Sequence, residues 1–167
     1  MGTEPLPPEV LRTLADEGAI SAGEHLVKFA ENLARSHPGK ARNWGARMAL
    51  SEYEDTIVTG CARWAAGVAM YLAGDVVAAE PALLDAAKML NGRDDGSLAD
   101  RARLLLVDLH GEKLELGRAR RLAEKLHRNF SERGDRARAA AVLANLAGAE
   151  DAADRVSRAR ALWRRAR

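Results

Sequence analysis

The segment SEYED, residues 51–55, carries three carboxyl groups within four positions, at Glu52, Glu54 and Asp55. Paired carboxylates can act as a general acid and base, or they can hold a hard cation through their oxygens. On a helix, Glu52 and Asp55 share a face at i and i+3, whereas Glu54 points elsewhere. Acidic residues are also favoured at a helix N-terminus, where the helix dipole is positive. We therefore expect the segment to cap a helix or to lie on the surface.

Histidine and cysteine offer no recognisable catalytic or metal-binding arrangement in this sequence. The four histidines lie far apart and lack carboxylates at ligand spacing; they are His25, His37, His110 and His127. We expect structural or surface roles for them, and a packing role for Cys61, the single cysteine. The sequence also lacks a Gly-rich phosphate loop, a paired-cysteine spacing, His-Glu-x-x-His and Gly-x-Ser-x-Gly. It therefore predicts a protein that is not an enzyme and that uses no metal or cofactor.

The composition indicates helices rather than a sheet. Hydrophobic residues make up 47% of the 167 residues but aromatic residues only 4%, and the difference is mostly alanine. Small side chains suit close helix packing, whereas sheets favour β-branched and aromatic residues. No apolar run approaches the roughly 18 residues that span a bilayer, and the first residues lack a secretory signal. A single cysteine allows no internal disulfide. We therefore expect a cytoplasmic protein without a membrane partner, and the excess of arginine over lysine is typical of a GC-rich bacterial source.

The net charge of +2 is unevenly distributed along the chain. Residues 1–96 hold 9 Lys/Arg and 14 Asp/Glu, whereas residues 97–167 hold 17 and 10. The two parts therefore carry net charges of −5 and +7. A basic C-terminal part favours an acidic partner or nucleic acid, although a solvated helix surface explains the same charges.

Three glycines, Gly74, Gly111 and Gly148, follow one another at intervals of 37 residues. Apolar residues precede each glycine at i, i+3, i+4 and i+7, which is the spacing of a buried helical stripe. The aligned columns are Ala65, Ala102 and Ala139; Val68, Leu105 and Val142; Ala69, Leu106 and Leu143; and Leu72, Leu109 and Leu146. We expect a helix to end at each glycine, because glycine adopts the left-handed conformation without steric cost.

A second apolar stripe follows each glycine, so each unit is a helix, a short turn and a second helix. Its columns are Ala79, Leu116 and Ala153; Ala82, Ala119 and Val156; and Met89, Leu126 and Trp163. We expect Trp163 and Trp44 to belong to the core. Because neither helix can bury its stripe alone, neighbouring units are expected to stack as in a helical solenoid.

Such a two-helix repeat resembles the tetratricopeptide repeat, and SERGDRARAAAVLANLAGAEDAADRVSRARALW, residues 131–163, resembles the longer, degenerate bacterial versions. The small-residue positions of that family match Gly67, Ala79 and Ala86 in the first unit. The resemblance implies an all-α fold, a right-handed α-α superhelix of stacked antiparallel helix pairs. It covers residues 60–167 as three units of period 37, with residues 1–59 as an N-terminal helical cap and a divergent helix pair.

The N-terminal part contains less regular helix signals. Residues 8–18 read as a short capping helix with proline at its start and a glycine stop. Residues 23–59 read as the divergent pair. Ser21 and Glu24 have capping-box spacing where its first helix begins, and His-Pro-Gly marks where that helix stops. A further helix is expected from about Lys40 into the fifties.

The family resemblance also implies a binding groove. First helices of tetratricopeptide repeats line a concave groove, and two columns flanking the buried stripe match positions that contact ligands in that family. These residues are Trp64, Tyr71, Arg101, Asp108, Arg138 and Asn145. Arginines bind carboxylates. The leading prediction is therefore a non-catalytic adaptor or regulatory module that binds a protein or peptide segment, with an acidic segment as one candidate. The alternative is that these are ordinary boundary residues.

Two other functions compete with groove binding. Arginines and a lysine on the second helices predict a basic ridge that binds nucleic acid within a larger complex; they are Arg118, Arg121, Lys125, Arg155 and Arg158. Against this, aromatic residues do not interleave with the arginines. The other function is an enzyme or small-ligand pocket formed by His25, Cys61, Trp44 and the SEYED acids. Exposed apolar stripes at the end of a short solenoid also favour self-association.

Overall fold

A computed structural model describes residues 5–93 and 96–166 of the chain. Within these ranges the protein is all-α, with nine helices and no strands. The helices are α1 Pro8–Glu17, α2 Ala19–Ser36, α3 Pro38–Met48, α4 Thr56–Leu72, α5 Val76–Met89, α6 Ser97–Glu112, α7 Leu116–Glu132, α8 Arg136–Ala152 and α9 Val156–Arg165. None of the described helices is both long enough and apolar enough to cross a membrane.

The N-terminal helix signals are confirmed in part. Helix α1 has proline at its first position and is followed by Gly18 at φ +89°, and proline also begins α3 directly after His37. The capping box at Ser21 is wrong, because α2 begins at Ala19 and Ser21 lies inside it. Helix α3 ends at Met48, so the helix predicted to reach into the fifties is shorter than expected.

Equivalent turns join α4 to α5, α6 to α7 and α8 to α9, and they recur every 40 residues. The left-handed residue of each turn is Gly74 at φ +80°, Leu114 at φ +57° and Asp154 at φ +60°. Gly111 and Gly148 lie inside α6 and α8. The prediction that helices end at these two glycines is therefore wrong, and the turns follow a spacing of 40 rather than 37.

Backbone hydrogen bonds repeat with the same spacing. The N–H of Asp75 donates to the carbonyl of Met70 over 2.8 Å, and that of Glu115 donates to His110 over 2.8 Å. The corresponding bond joins the N–H of Arg155 to the carbonyl of Glu150 over 2.9 Å. Such bonds satisfy carbonyl groups that a helix end leaves without an intrahelical partner. The three turns are therefore equivalent in conformation as well as in spacing.

The chain divides into two compact units, Met1–Ala102 and Arg103–Arg167. The predicted boundary between residues 59 and 60 falls inside α4, and the assignment of residues 60–167 to three tetratricopeptide-like units stays a prediction. Met1–Ala102 holds 10 Lys/Arg and 15 Asp/Glu, and Arg103–Arg167 holds 16 and 9. The two units therefore carry net charges of −5 and +7, the same as residues 1–96 and 97–167, because the only charged residues between the two boundaries are Asp100 and Arg101.

Helix α4 forms the centre of the first unit. Every residue from Val58 to Met70 is buried, and α2, α3 and α5 all pack against this helix. Glycines allow the close approach: a Cβ on Gly67 would lie 2.5 Å from Leu83 Cγ, and one on Gly45 would lie 2.9 Å from Met70 Cγ. The alanine-rich and glycine-rich sequence of α4 therefore lets three helices contact it at short distance.

The second unit has its own apolar core between α7, α8 and the end of α6. Its buried cluster consists of Val107, Ala119, Ala123, Leu126, Phe130, Ala139, Val142 and Leu146. Gly111 belongs to this packing, because a Cβ there would lie 2.5 Å from Ala149 Cβ. Close packing of α6 and α8 thus explains this glycine, which the sequence pattern attributed to a turn. The prediction of a core role for Trp163 is wrong, since its exposed fraction is 46%.

Candidate functional site

The SEYED acids serve local structure. Residues 51–55 are not helical, so the shared helix face expected for Glu52 and Asp55 does not exist. Asp55 caps α4, and its carboxylate accepts hydrogen bonds from the N–H groups of Ile57 over 2.6 Å and Val58 over 3.2 Å. Glu52 forms an ion pair of 2.6 Å with Arg63. The capping prediction is thus confirmed for Asp55.

Arg63 is the buried partner of this segment. Its side chain is 11% exposed, and its Nη1 donates to the carbonyls of Met48 over 3.4 Å, of Ser51 over 3.1 Å and of Ala49. These carbonyls lie at the end of α3 and just beyond it, where backbone acceptors lack intrahelical donors. The arginine therefore binds α4 to the segment that follows α3, and this arrangement is structural.

The residues proposed for an enzymatic or small-ligand pocket do not converge. Cys61 is fully buried, and a Cβ on Gly23 would overlap its sulfur. Trp44 is buried and meets Phe29 edge-on with ring centroids 5.4 Å apart, as expected for a core residue. His25 is exposed, with Nδ1 3.0 Å from the carbonyl of Ser21. Two of the three side chains therefore lie in the interior and the third lies on the surface.

In the first unit, two of the predicted groove residues contact each other. Trp64 is buried, with an exposed fraction of 5%. The guanidinium carbon of Arg101 lies 5.0 Å from the centroid of its ring, and Arg101 also forms an ion pair with Glu24. Tyr71 is half-buried near the end of α4. Trp64 and Arg101 were expected at equivalent positions of successive units, whereas the structure stacks one upon the other.

Arg101 lies at a shallow depression of about 400 Å³ in the first unit. Its lining consists of Glu24, His25, Val27, Lys28, Glu31 and Arg101. Four of these six side chains are charged, two of each sign, and five of the six come from α2. The depression offers both a guanidinium and an ammonium group to a ligand, next to one apolar side chain.

In the second unit, Asp108 and Asn145 are hydrogen-bonded to each other, with Asn145 Nδ2 donating to the carboxylate over 2.8 Å. Burial, together with repulsion from Glu112, raises the pKa of Asp108 to about 6. Arg138 forms an ion pair with Asp135, the residue that caps α8. The three predicted groove residues of this unit thus have partners within it.

The residues predicted for nucleic-acid binding are all exposed. Arg118 pairs with Glu115 over 2.9 Å, and its hydrogen bond lowers the pKa of that carboxyl group. Arg155 lies 3.9 Å from Glu150. Arg121 and Lys125 lie on the outer face of α7. The five side chains are therefore accessible to solvent, two of them already contact acidic groups, and a continuous basic ridge stays a prediction.

Glu150 and Arg120 form a connection that the sequence pattern did not reveal. The side chain of Glu150 is 1% exposed and accepts two hydrogen bonds from Arg120, one of them 2.9 Å long. The Arg120 hydrogen bond holds the pKa of Glu150 below its usual range, and Arg155 acts in the same direction. The carboxylate of Glu150 on α8 is thus neutralised by Arg120 of α7 and by Arg155, which directly precedes α9. No sequence spacing indicates the contact between Arg120 and Glu150.

Glu24 was also missed as a partner of Arg101. The two residues are 77 positions apart in the chain, and Glu24 was expected only as part of a capping box.

Comparisons with protein-family models, with curated proteins and with solved structures find no match for the chain. The functional proposal therefore depends on the surfaces described above.

Proposed function

We propose that the protein is a non-catalytic interaction module that binds an acidic protein or peptide segment, and that its helix pairs form a right-handed, tetratricopeptide-like superhelix. Three turns of the same conformation at 40-residue spacing support the fold. In this proposal the module acts as an adaptor or regulatory subunit in the cytoplasm.

The single observation that carries the binding proposal is the placement of Arg101. Its guanidinium rests on the ring of Trp64 beside the depression of the first unit. An aromatic ring under a guanidinium restricts its orientation and attracts its charge. The N–H groups are thereby held in a defined direction, which favours a paired hydrogen bond to a carboxylate.

Glu24 indicates the chemistry of the ligand, because its carboxylate forms an ion pair with the guanidinium of Arg101. The side chain of Glu24 is 48% exposed, so a carboxylate from solvent can replace it at small cost. Lys28 lies one turn further along α2 and lines the same depression. A segment with two neighbouring carboxylates therefore fits Arg101 and Lys28 together.

Binding of labelled hexaglutamate, measured by fluorescence anisotropy, tests the proposal. We expect Arg101→Glu to weaken this binding at least tenfold, since a paired charge is replaced by repulsion. The matched control is Arg12→Glu, an exposed arginine of α1 with the same change of charge. Equal losses in the two variants, or equal binding of hexalysine, would reject a site at Arg101.

Nucleic-acid binding is a second candidate, which the outer face of α7 favours. Arg121, Lys125 and Arg128 follow one another at i, i+4 and i+7 and are exposed, opposite the buried Ala119 and Leu126. A row of exposed cations binds phosphate backbones by releasing counterions.

A labelled 20-nucleotide single strand provides the test of this second candidate. We expect its affinity to fall about tenfold or more between 50 and 200 mM salt, as three or more phosphate contacts require. Reversing the charges of Arg121, Lys125 and Arg128 should remove that dependence. If the triple variant loses hexaglutamate binding and Arg101→Glu keeps it, the acidic ligand binds at α7 and not at Arg101.

A further inference from the structure

The ion pair between Arg101 and Glu24 lies at the depression of the first unit, which both residues line. One hydrogen bond joins the two side chains, from Nη1 of Arg101 to Oε1 of Glu24. A guanidinium and a carboxylate can form two parallel hydrogen bonds, and that paired arrangement is the stronger one. The contact with Glu24 therefore uses only part of what Arg101 offers to a carboxylate.

The two partners of this ion pair differ in how firmly they are held. The side chain of Arg101 is 17% exposed, and its guanidinium carbon lies 5.0 Å from the centroid of the Trp64 ring. The side chain of Glu24 is 48% exposed and extends from the surface of α2. Glu24 is thus the partner that can leave, whereas Arg101 stays in place on the ring.

Glu31 is a second carboxylate at the same depression, and it has a different partner. It lies seven residues after Glu24 on α2, and its carboxylate is 3.3 Å from Nη2 of Arg35. An acidic ligand that approaches Arg101 therefore meets two carboxylates of the protein. Glu24 must give up its contact with Arg101, whereas Glu31 only adds repulsion from nearby.

We infer that Glu24 is a built-in competitor of the acidic ligand, so that the protein keeps Arg101 occupied until a partner displaces Glu24. This inference rests on the function proposed above for Arg101. A ligand gains the contact with Arg101 only by ending the contact with Glu24, which lowers the affinity of every ligand that uses this arginine. A ligand carboxylate that forms two hydrogen bonds displaces one that forms a single bond, because the exposed ion pair is weak.

Glu24→Gln removes the competing charge and keeps the shape of the side chain. We expect labelled hexaglutamate to bind this variant about threefold more tightly than the wild type, the size that one partly exposed ion pair allows. Glu31→Gln is the matched control, because it makes the same change of charge at the same depression, and it should have a clearly smaller effect. Equal gains in the two variants, or no gain in Glu24→Gln, would overturn the inference.

The salt dependence of binding provides a second measurement. In the wild type one ion pair of Arg101 replaces another, whereas in Glu24→Gln the ligand forms its ion pair without any being lost. Since salt screens exposed charges, the affinity of Glu24→Gln should fall more steeply with salt than that of the wild type. In an Arg101→Met background the gain from Glu24→Gln should shrink to that from Glu31→Gln, because the two substitutions are coupled only through the contact.

Reaction of arginine side chains with phenylglyoxal tests the occupation of Arg101 without any ligand. We expect Arg101 to react faster in Glu24→Gln than in the wild type, because the carboxylate covers nitrogens that the reagent must reach. Mass spectrometry of peptides measures the reaction, with the exposed Arg12 as the internal reference. Equal reaction of Arg101 in the two proteins would overturn the inference.

The two readouts separate this inference from the proposed function. If neither protein binds hexaglutamate while Arg101 reacts faster in Glu24→Gln, the proposed ligand is wrong and the blocking role of Glu24 stands. If the wild type binds through Arg101 and Arg101 reacts equally in both proteins, the proposed function stands and the blocking role is wrong. Circular dichroism checks that each variant keeps its helices.

Discussion

The two units treat a buried charge in opposite ways. In the first, Arg63 is buried, backbone carbonyls at and after the end of α3 accept its hydrogen bonds, and Glu52 at the surface supplies the opposite charge. In the second, Glu150 is buried and is neutralised by Arg120 and Arg155. Removing one side of a buried interaction leaves the other side unsatisfied, whichever partner is lost. We therefore expect the first unit to depend more strongly on Arg63 than the second unit depends on Glu150, because several acceptors share this one guanidinium.

Arg63→Met tests this dependence and should have the largest effect. Methionine keeps much of the volume of the side chain, but the carbonyls of Met48 and Ser51 lose their charged donor. We expect a loss of about 3 kcal/mol in the free energy of unfolding, measured by urea denaturation with tryptophan fluorescence. Arg42→Met is the control, because Arg42 is exposed and donates to one carbonyl, that of Ala73, over 2.9 Å. Similar losses in both variants would contradict a special role for Arg63.

Gly111 and Gly148 sharpen the comparison within the second unit. A Cβ at Gly111 would meet Ala149, whereas one at Gly148 would have no heavy atom within 4 Å. Alanine gains about 1 kcal/mol over glycine inside a helix, while overpacking costs about 1–3 kcal/mol. We expect Gly148→Ala to stabilise the protein and Gly111→Ala to destabilise it, with thermal and urea unfolding showing a difference of about 2 kcal/mol. If both variants were stabilised, α6 and α8 would not pack as described.

Asp108 gives an expected effect that depends on pH. Its pKa rises from an ordinary 3.8 to about 6, so folding favours the protonated form and loses stability as the pH rises from about 4 to about 6. Asp108→Asn can still accept from Asn145, and we expect it to gain about 2 kcal/mol more at pH 7 than at pH 4. Urea unfolding at the two pH values measures this gain. Asp151→Asn, an exposed change on α8, should show no such difference.

The sequence predicted the helical faces much better than it predicted the turns. A shift from 37 to 40 residues is nearly one helical turn, so both spacings place the same face toward the core. Ala65, Ala102 and Ala139 are accordingly all buried. The predicted burial is wrong for Leu72 and Val156, which are 45% and 41% exposed. An error of three residues does misplace the turns, because in each turn a single residue adopts the left-handed conformation. Two of the three turns were therefore not predicted, because Leu114 and Asp154 stand where a glycine is expected.

The candidate site was predictable in residue type but not in arrangement. Trp64 and Arg101 were predicted as binding residues, yet their contact depends on how Arg101, at the start of α6, packs against α4 within the first unit, which no spacing encodes. The partners Glu24 and Glu150 are distant in the chain from Arg101 and Arg120. Long-range ion pairs follow from the fold, whereas periodicity reports only which face of a helix is buried.

The position of Cys61 makes this thiol a reporter of motion. Its sulfur contacts the backbone of α2 at Gly23 and is completely shielded from solvent. An alkylating reagent can reach it only while α2 and α4 are separated, so the rate of labelling under native conditions equals the opening equilibrium multiplied by the intrinsic rate of the free thiol. A single natural cysteine thus allows the breathing of this helix pair to be followed without any substitution.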